Sequence, residues 1–536
     1  MRYKLLISLI FTCSSMAACE DTNNDDNGTI VIVDMAEPDA SVDSTDMSKV
    51  PDMVSDVDMV DQPLDMTPND NDDMDMAVDM EVEHDAQPDL DTMPQYQMPT
   101  IADHEVLEDI NPDPDVVEVN LEARLTSVDI GNGIVLDMMA YNGIVPGPLL
   151  QAKQGDRIIV NFTNNLDEPT TIHWHGLRIP DDMDGSPRIQ NPVQPGESFT
   201  YSFIVPDAGT YWYHPHVNAN EQVEKGLYAP IVIHDPADPE VDVERIFMVD
   251  DILLDDDDIA PFFQSHMESV HGRNGNTLLI NGSSEIPVEA PTNGGLVERW
   301  RIINSANART FSLGIPDTSF KVISSDGGVL PEPYVTDRLQ VAVGQRYDVE
   351  VLTERNKAHT LTAYIPTLNA QNEVVESTFD IAETTRETTP FDFSTPEPRT
   401  WQGPALPEAP ATRQETYVLD GYNNAFGQLV WTINGKAHSM EPLSTFTRDE
   451  VVEITIQNNQ GPEHPFHLHG QFFIITDDGS GQSVPGLKDT VLVPGRSTVK
   501  IIAYMSNPGM WMAHCHILEH AELGMMSEIE VLDTMP

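Results

Sequence analysis

From about residue 116 onward the chain is built of short runs of β-branched and aromatic residues, separated by clusters of Gly, Pro, Asn and Asp. Arg157-Ile158-Ile159-Val160-Asn161-Phe162, Phe199 to Val205, Arg299-Trp300-Arg301-Ile302-Ile303, Tyr347 to Leu352 and Val451 to Ile456 are examples. Long helical periodicity is nearly absent. Many short strands with turn signals between them make an all-β sandwich architecture. The roughly 420 residues involved divide into three sandwiches of about 120 to 150 residues each. Asp235-Pro236-Ala237-Asp238-Pro239 and the Pro-rich stretch from Pro390 to Pro410 mark the seams. The expected domains are therefore 116–236, 237–395 and 396–536.

The segment upstream is of a different kind. Residues 20–115 carry 30 acids and one base, Lys49, out of a formal charge of −62 for the whole chain. Asp-Met recurs eight times between Asp34 and Met80. Such a stretch buries too little apolar surface to offset chain entropy, so a disordered linker is expected. An extended tether is the simpler use of it, and a copper-collecting tail the other, since thioether sulfur suits Cu(I). The first 19 residues have the pattern of an export signal: Arg2 and Lys4, the apolar run Leu5 to Phe11, then small residues before Cys19. Met16-Ala17-Ala18-Cys19 resembles a bacterial lipoprotein cleavage box, which makes Cys19 a candidate lipidation site. The expected location is a bacterial membrane, periplasmic or cell-surface, reached only through that lipid anchor. With so few Lys and Arg, nucleic acid is excluded as a partner. Three Cys do not staple a disulfide scaffold, and no apolar stretch is long enough to span a bilayer.

Ten of the 17 His fall in four clusters, two near the start of the folded region and two near its end. These are His173-Trp174-His175, His214-Pro215-His216, His464-Pro465-Phe466-His467-Leu468-His469, and His514-Cys515-His516 with His520 and Met525 after it. The distribution suggests one site built between the first and last sandwiches. Residues i and i+2 of a strand share a face. Four same-face pairs thus give eight imidazoles, enough for a multinuclear metal centre. Cys515 points to the opposite face and needs its own partners, His464, His520 and Met525. One thiolate, two imidazoles and a weak thioether are the ligands of a blue-copper electron-transfer site. The eight imidazoles alone would accept zinc as well, so the Cys set is what favours copper. His84, His104, His234, His266, His271, His359 and His438 lack paired spacing and are expected to be structural.

These motifs resemble those of the multicopper oxidases, with four copper signatures in the family's order. Gly272 to Gly282, Arg301 to Arg309 and Ser325 to Pro333 look like the middle domain of bacterial three-domain members. The resemblance implies three cupredoxin-like Greek-key sandwiches and four copper ions. It implies that His464, Cys515, His520 and Met525 bind the type 1 copper and that His173 and His467 bind the type 2 copper. His175, His214, His216, His469, His514 and His516 would bind the type 3 pair. The implied reaction couples one-electron oxidation of a donor to four-electron reduction of O2 to water. Asp184 and Glu519 sit where similar proteins carry proton-relaying acids.

The donor class is less constrained. A laccase-like enzyme takes electrons from phenols or aromatic amines at the exposed edge of a type 1 imidazole, here expected to be His464. Bacterial cuprous oxidases instead add a Met-rich lid. No Met occurs between Met267 and Met440, and Gln457 to Glu463 lacks their Asp-Met-Met pattern. A laccase-like monomer is the expectation. A metallo-oxidase for Cu(I), Fe(II) or Mn(II) is the alternative, favoured by the acidic surface. A copper-free cupredoxin scaffold is a further alternative, opposed by the intact ligand set.

Overall fold

Arg157–Asn165 shows the local rule of the fold: Ile158, Val160 and Phe162 are buried while their neighbours face outward. That period of two is what a half-buried pleated strand requires. The computed structural model describes residues 96–102, 104–285, 296–316, 318–353, 359–368, 374–384, 397–407 and 409–534. Cys19, the expected signal and most of the acidic linker lie outside them.

Strands repeat one plan three times. The first long strand of each unit pairs parallel with a later one: Val116–Asp129 with Arg157–Asn165, Val243–Ile252 with Leu296–Asn304, and Arg413–Asn423 with Val451–Asn458. A two-residue Asn-Gly turn recurs at 142–143, 281–282 and 434–435, with both residues at positive φ. Asn and Gly tolerate that backbone, which matches the twist of the flanking strands. Each unit has two sheets that share one apolar core. The first packs the sheet of Val116–Asp129 on the sheet of Gly209–His214, around Trp174, Tyr201 and Tyr213. The second is centred on Trp300, Phe311 and Phe320. The third is centred on Phe466, Phe473 and Trp511. The architecture is all-β, with three cupredoxin-like sandwiches.

One boundary differs from expectation. Residues 96–115, placed in the linker on composition, belong to the folded body. Ile101 pairs with Glu244, Val106 bridges to Leu149, and Ile101 and Leu107 are buried. Two well-placed apolar side chains outweigh a local excess of acids that stay at the surface. Among the described residues no helix is long and apolar enough to cross a membrane.

Candidate copper centre

Two strand pairs set the register of the site. In the first sandwich His173 lies opposite His214, and in the third His467 lies opposite His514. All ten clustered His are buried. Rings from the two sandwiches interleave: His173 stacks on His469 and His175 on His467, each at 3.9 Å between centroids. His216 lies 4.9 Å from His469 and 5.3 Å from His514 by the same measure. The structure therefore brings all eight paired imidazoles into one cluster.

The outer nitrogens of five of these rings are spoken for. His173 Nδ1 donates to the Asp184 carbonyl at 3.0 Å, His214 Nδ1 to the Pro215 carbonyl at 3.0 Å, and His467 Nδ1 to the Asp489 carbonyl at 2.9 Å. The opposite Nε2 atoms of all three are buried and have no protein partner, as is Nε2 of His216. His469 Nδ1 donates to Asp184 Oδ2 at 2.7 Å, and His514 Nδ1 to the Cys515 carbonyl at 2.9 Å. That leaves both Nε2 atoms bare in the neutral rings, yet they face each other at 3.0 Å. Two lone pairs at that distance repel unless a cation lies between them. Two nitrogens about 2 Å from one tetrahedral ion sit about 3.3 Å apart. Burial, with repulsion among neighbouring rings, holds His175, His214, His216, His469 and His516 well below the usual imidazole pKa, and His514 at about 3. The rings are thus neutral, which is the form that ligates.

Cys515 is the opposite-face residue. Its Sγ lies 3.5 Å from His464 Nδ1 and 3.6 Å from His520 Nδ1. A sulfur at about 2.3 Å and a nitrogen at about 2.0 Å from one ion are separated by roughly 3.5 Å at a tetrahedral angle. His520 Nε2 donates to the Val270 carbonyl at 3.2 Å, which aims its bare Nδ1 at the sulfur. Burial pushes the Cys515 thiol up, so a bound cation must displace its proton. Met525 is fully buried in the same core, and its carbonyl accepts from the Cys515 N–H at 3.1 Å.

Three features depart from the sequence expectations or were missed by them. His464 is wholly buried, not exposed at one edge. The Trp431 ring packs 4.9 Å from it, and Trp431 Nε1 donates to the Ser269 carbonyl of the short helix His266–His271. That helix comes from the middle sandwich, and its closure over the Cys515 group could not be foreseen from local pattern. Glu519 is set apart from Asp184. Its oxygens accept from the Arg273 backbone N–H at 2.9 Å and the Asn307 amide at 3.0 Å, and burial raises it to about 7. Asp184, also raised by burial, contacts His173 and His469 directly. The missed group is Asp489. Burial pushes its carboxyl up, but Arg346 and hydrogen bonds from His175 and His467 outweigh burial and hold it well below the usual range. Its sequence signal is faint: an acid beside Lys488, next to the apolar strand Thr490–Val493. Of the unpaired His, His84 lies outside the described residues. His104, His234, His266, His271, His359 and His438 join no group of potential metal ligands among the described residues.

A thiolate with two imidazoles, one residue away from a buried nest of eight more, defines a copper redox protein built on cupredoxin sandwiches. Family models described as multicopper oxidase match residues 125–238, 258–382 and 408–534. The chain is 32% identical over 453 residues to the multicopper oxidase MmcO of Mycobacterium tuberculosis, covering 78% of this chain and 87% of the relative. It is 27% identical to laccase-2 of Cryptococcus neoformans, covering 77% and 83%. Among solved structures, a Campylobacter jejuni multicopper oxidase described as a metallo-oxidase superposes with TM-score 0.70 at 26% identity, over 82% of this chain and 96% of that one. A laccase-like multicopper oxidase from Ochrobactrum, with activity towards lignin model compounds, gives 0.69 at 26%, over 80% and 100%. The chain belongs to the multicopper oxidase family. It is an oxidoreductase that uses copper, a reducing substrate and O2, and four copper ions are typical of the family.

Proposed function

We propose that the chain is laccase-like, oxidising phenols or aromatic amines, with the ligand roles that its motifs imply. His464, Cys515, His520 and Met525 hold the type 1 ion. His173 and His467 hold the type 2 ion. His175, His214, His216, His469, His514 and His516 hold the type 3 pair. Copper in these sets supplies one-electron uptake from a donor and, at the three-ion cluster, four-electron reduction of O2 to water. The observation that carries the reading is the position of Cys515, bonded through the backbone to His514 on one side and His516 on the other. The hydrogen bond from His514 Nδ1 to the Cys515 carbonyl adds a second link over the same span. Asp184 accepts a hydrogen bond from His469 and lies against His173 at the cluster, and it is the relay the geometry favours. Glu519, which has no hydrogen bond to a cluster ring, is the weaker relay candidate.

An aromatic donor is supported by what covers the Cys515 group. The cover is the Trp431 ring and a six-residue helix with one Met, Met267, rather than a thioether-rich lid. A metal-ion donor is the second reading. It is favoured by the exposed side chains of His438 and Met440, on the loop where Ala437 packs against Gly524, next to Met525. The test is oxygen uptake by copper-loaded protein with phenols, aromatic amines, Cu(I), Fe(II) and Mn(II). Much higher efficiency with Cu(I) overturns the aromatic reading. Replacing Cys515→Ser should abolish the visible thiolate-to-copper band and stop donor oxidation. A variant that stays blue overturns the type 1 assignment. We further propose export by the N-terminal signal, lipid attachment at Cys19, a periplasmic or cell-surface location, and a monomeric state. Labelling with a radioactive fatty acid, lost on Cys19→Ala, tests the anchor.

A further inference from the structure

The middle sandwich supplies none of the candidate copper ligands, yet it places one side chain against the cluster from behind. Arg346 opens the strand Arg346–Thr353 and is wholly buried. Nε donates to the Thr210 carbonyl at 3.0 Å. Nη1 donates to the Gly344 carbonyl at 3.1 Å and Asp489 Oδ1 at 2.8 Å. Nη2 donates to the Asp326 carbonyl at 2.9 Å and Asp489 Oδ2 at 2.7 Å. All five donors of the guanidinium are used, and their acceptors come from all three sandwiches. Asp489 carries the contact inward. Its Oδ1 accepts from His175 Nε2 at 3.3 Å, and its carbonyl accepts from His467 Nδ1 at 2.9 Å. The Thr490 hydroxyl, donated to Asp489 Oδ1 at 2.9 Å, lies 3.1 Å from the same Nδ1.

We propose that Arg346 is a positioning residue for the cluster: its two-pronged grip on Asp489 sets the tilt of the stacked His175–His467 pair, and so the retention of the ion held by His173 and His467. The inference rests on the ligand roles proposed above. A carboxylate on a single hydrogen bond can swing about its side-chain torsions. One held at both oxygens by a planar fork cannot. Asp489 then fixes which ring nitrogen of each imidazole carries the proton and which stays free. A lysine at 346 would keep the charge but present it as a point. It would leave buried carbonyls of Thr210, Gly344 or Asp326 short of a donor, and free Asp489 to rotate.

The experiment compares full-length, copper-loaded wild type, Arg346→Lys, Asp489→Asn and Arg178→Lys. The last perturbs a tie between the first and third sandwiches, Arg178 to Ser506 and Asp207, that involves no cluster residue. Each protein is titrated with a copper chelator while the type 2 electron paramagnetic resonance signal and the visible thiolate band are followed. Loss of an outer partner of a metal ligand weakens metal binding by about 10- to 100-fold. Arg346→Lys and Asp489→Asn should release type 2 copper at correspondingly lower chelator concentration while the thiolate band persists, and Arg178→Lys should match wild type. The proposal is overturned if both cluster-side variants keep type 2 copper as wild type does. It is equally overturned if they lose the thiolate band in parallel, which marks a general loosening of the fold. A wild type with no type 2 signal would instead refute the assignment of His173 and His467, a separate failure.

Discussion

Gly344 offers the sharpest test of how tightly the cluster is built. Its backbone has φ +83°, and an added Cβ would meet His516 Cδ2 at 2.9 Å and His175 Cε1 at 3.1 Å. Ordinary carbon–carbon contact is about 3.5–4.0 Å, so in Gly344→Ala the two rings must recede by about 0.5–1 Å. The left-handed backbone adds roughly 1–2 kcal/mol for an L residue, and overpacking about 1–3 kcal/mol. Stability should therefore fall by a few kcal/mol. Catalysis should suffer more, because a displacement of about 1 Å at reacting groups lowers rate by about 10²-fold. The assay is steady-state oxygen consumption at saturating donor, beside copper per chain and thermal unfolding. The atoms nearest that Cβ belong to His516 and His175, not to Cys515, His464, His520 or Met525, so the visible thiolate band should stay and serve as the internal control. Oxygen consumption within twofold of wild type, with no fall in the unfolding midpoint, would refute the reasoning.

Other perturbations have defined outcomes. Asp184→Asn should leave reduction of the thiolate-held copper intact and slow O2 reduction by about 10²–10⁴-fold, the usual range for a lost proton-transfer group; stopped-flow measurement of the two half-reactions separates them, and equal slowing of both removes the relay role. His234 is held at about 3, against an ordinary 6.5, by burial first and by Arg301 next, with Glu244 opposing. The unfolded chain then binds a proton that the folded one does not, so stability falls as pH drops from 6.5 toward 3, by up to about 1.4 kcal/mol per pH unit. His234→Gln should flatten unfolding midpoints over that window, and an unchanged profile would discount the burial effect. Deleting residues 20–94 should leave oxygen consumption with a soluble donor unchanged. Extending the deletion to 110 should lower the unfolding midpoint, because Ile101 and Leu107 leave the core.

Half of the site is legible in the histidine pattern alone. Alternation on a strand puts His173 and His175 on one face and Cys515 opposite His514 and His516, and the ladders then set His467 across from His514. The short β-branched and aromatic runs between clusters of Gly, Pro, Asn and Asp likewise point to the sandwiches. What stayed hidden depends on docking between sandwiches, which leaves no periodic trace. Arg346 is one basic residue on a buried strand, and Gly344 one glycine in a turn. Neither differs from its neighbours until three bodies close on the same point. The cover over His464 was missed for the same reason, because the helix His266–His271 reaches it from about 200 residues away in sequence.

The candidate ligand groups lie at the two extremes of the folded sequence, His173 to His216 and His464 to Met525. A ribosome making this chain must therefore finish nearly all of it before either metal-binding group is complete. Until then the first sandwich exposes four unpaired imidazoles, competent to catch any passing transition metal. Insertion of the correct ions is thereby deferred to the finished polypeptide, and a stop codon just ahead of His514 strips candidate ligands from both proposed redox centres at once.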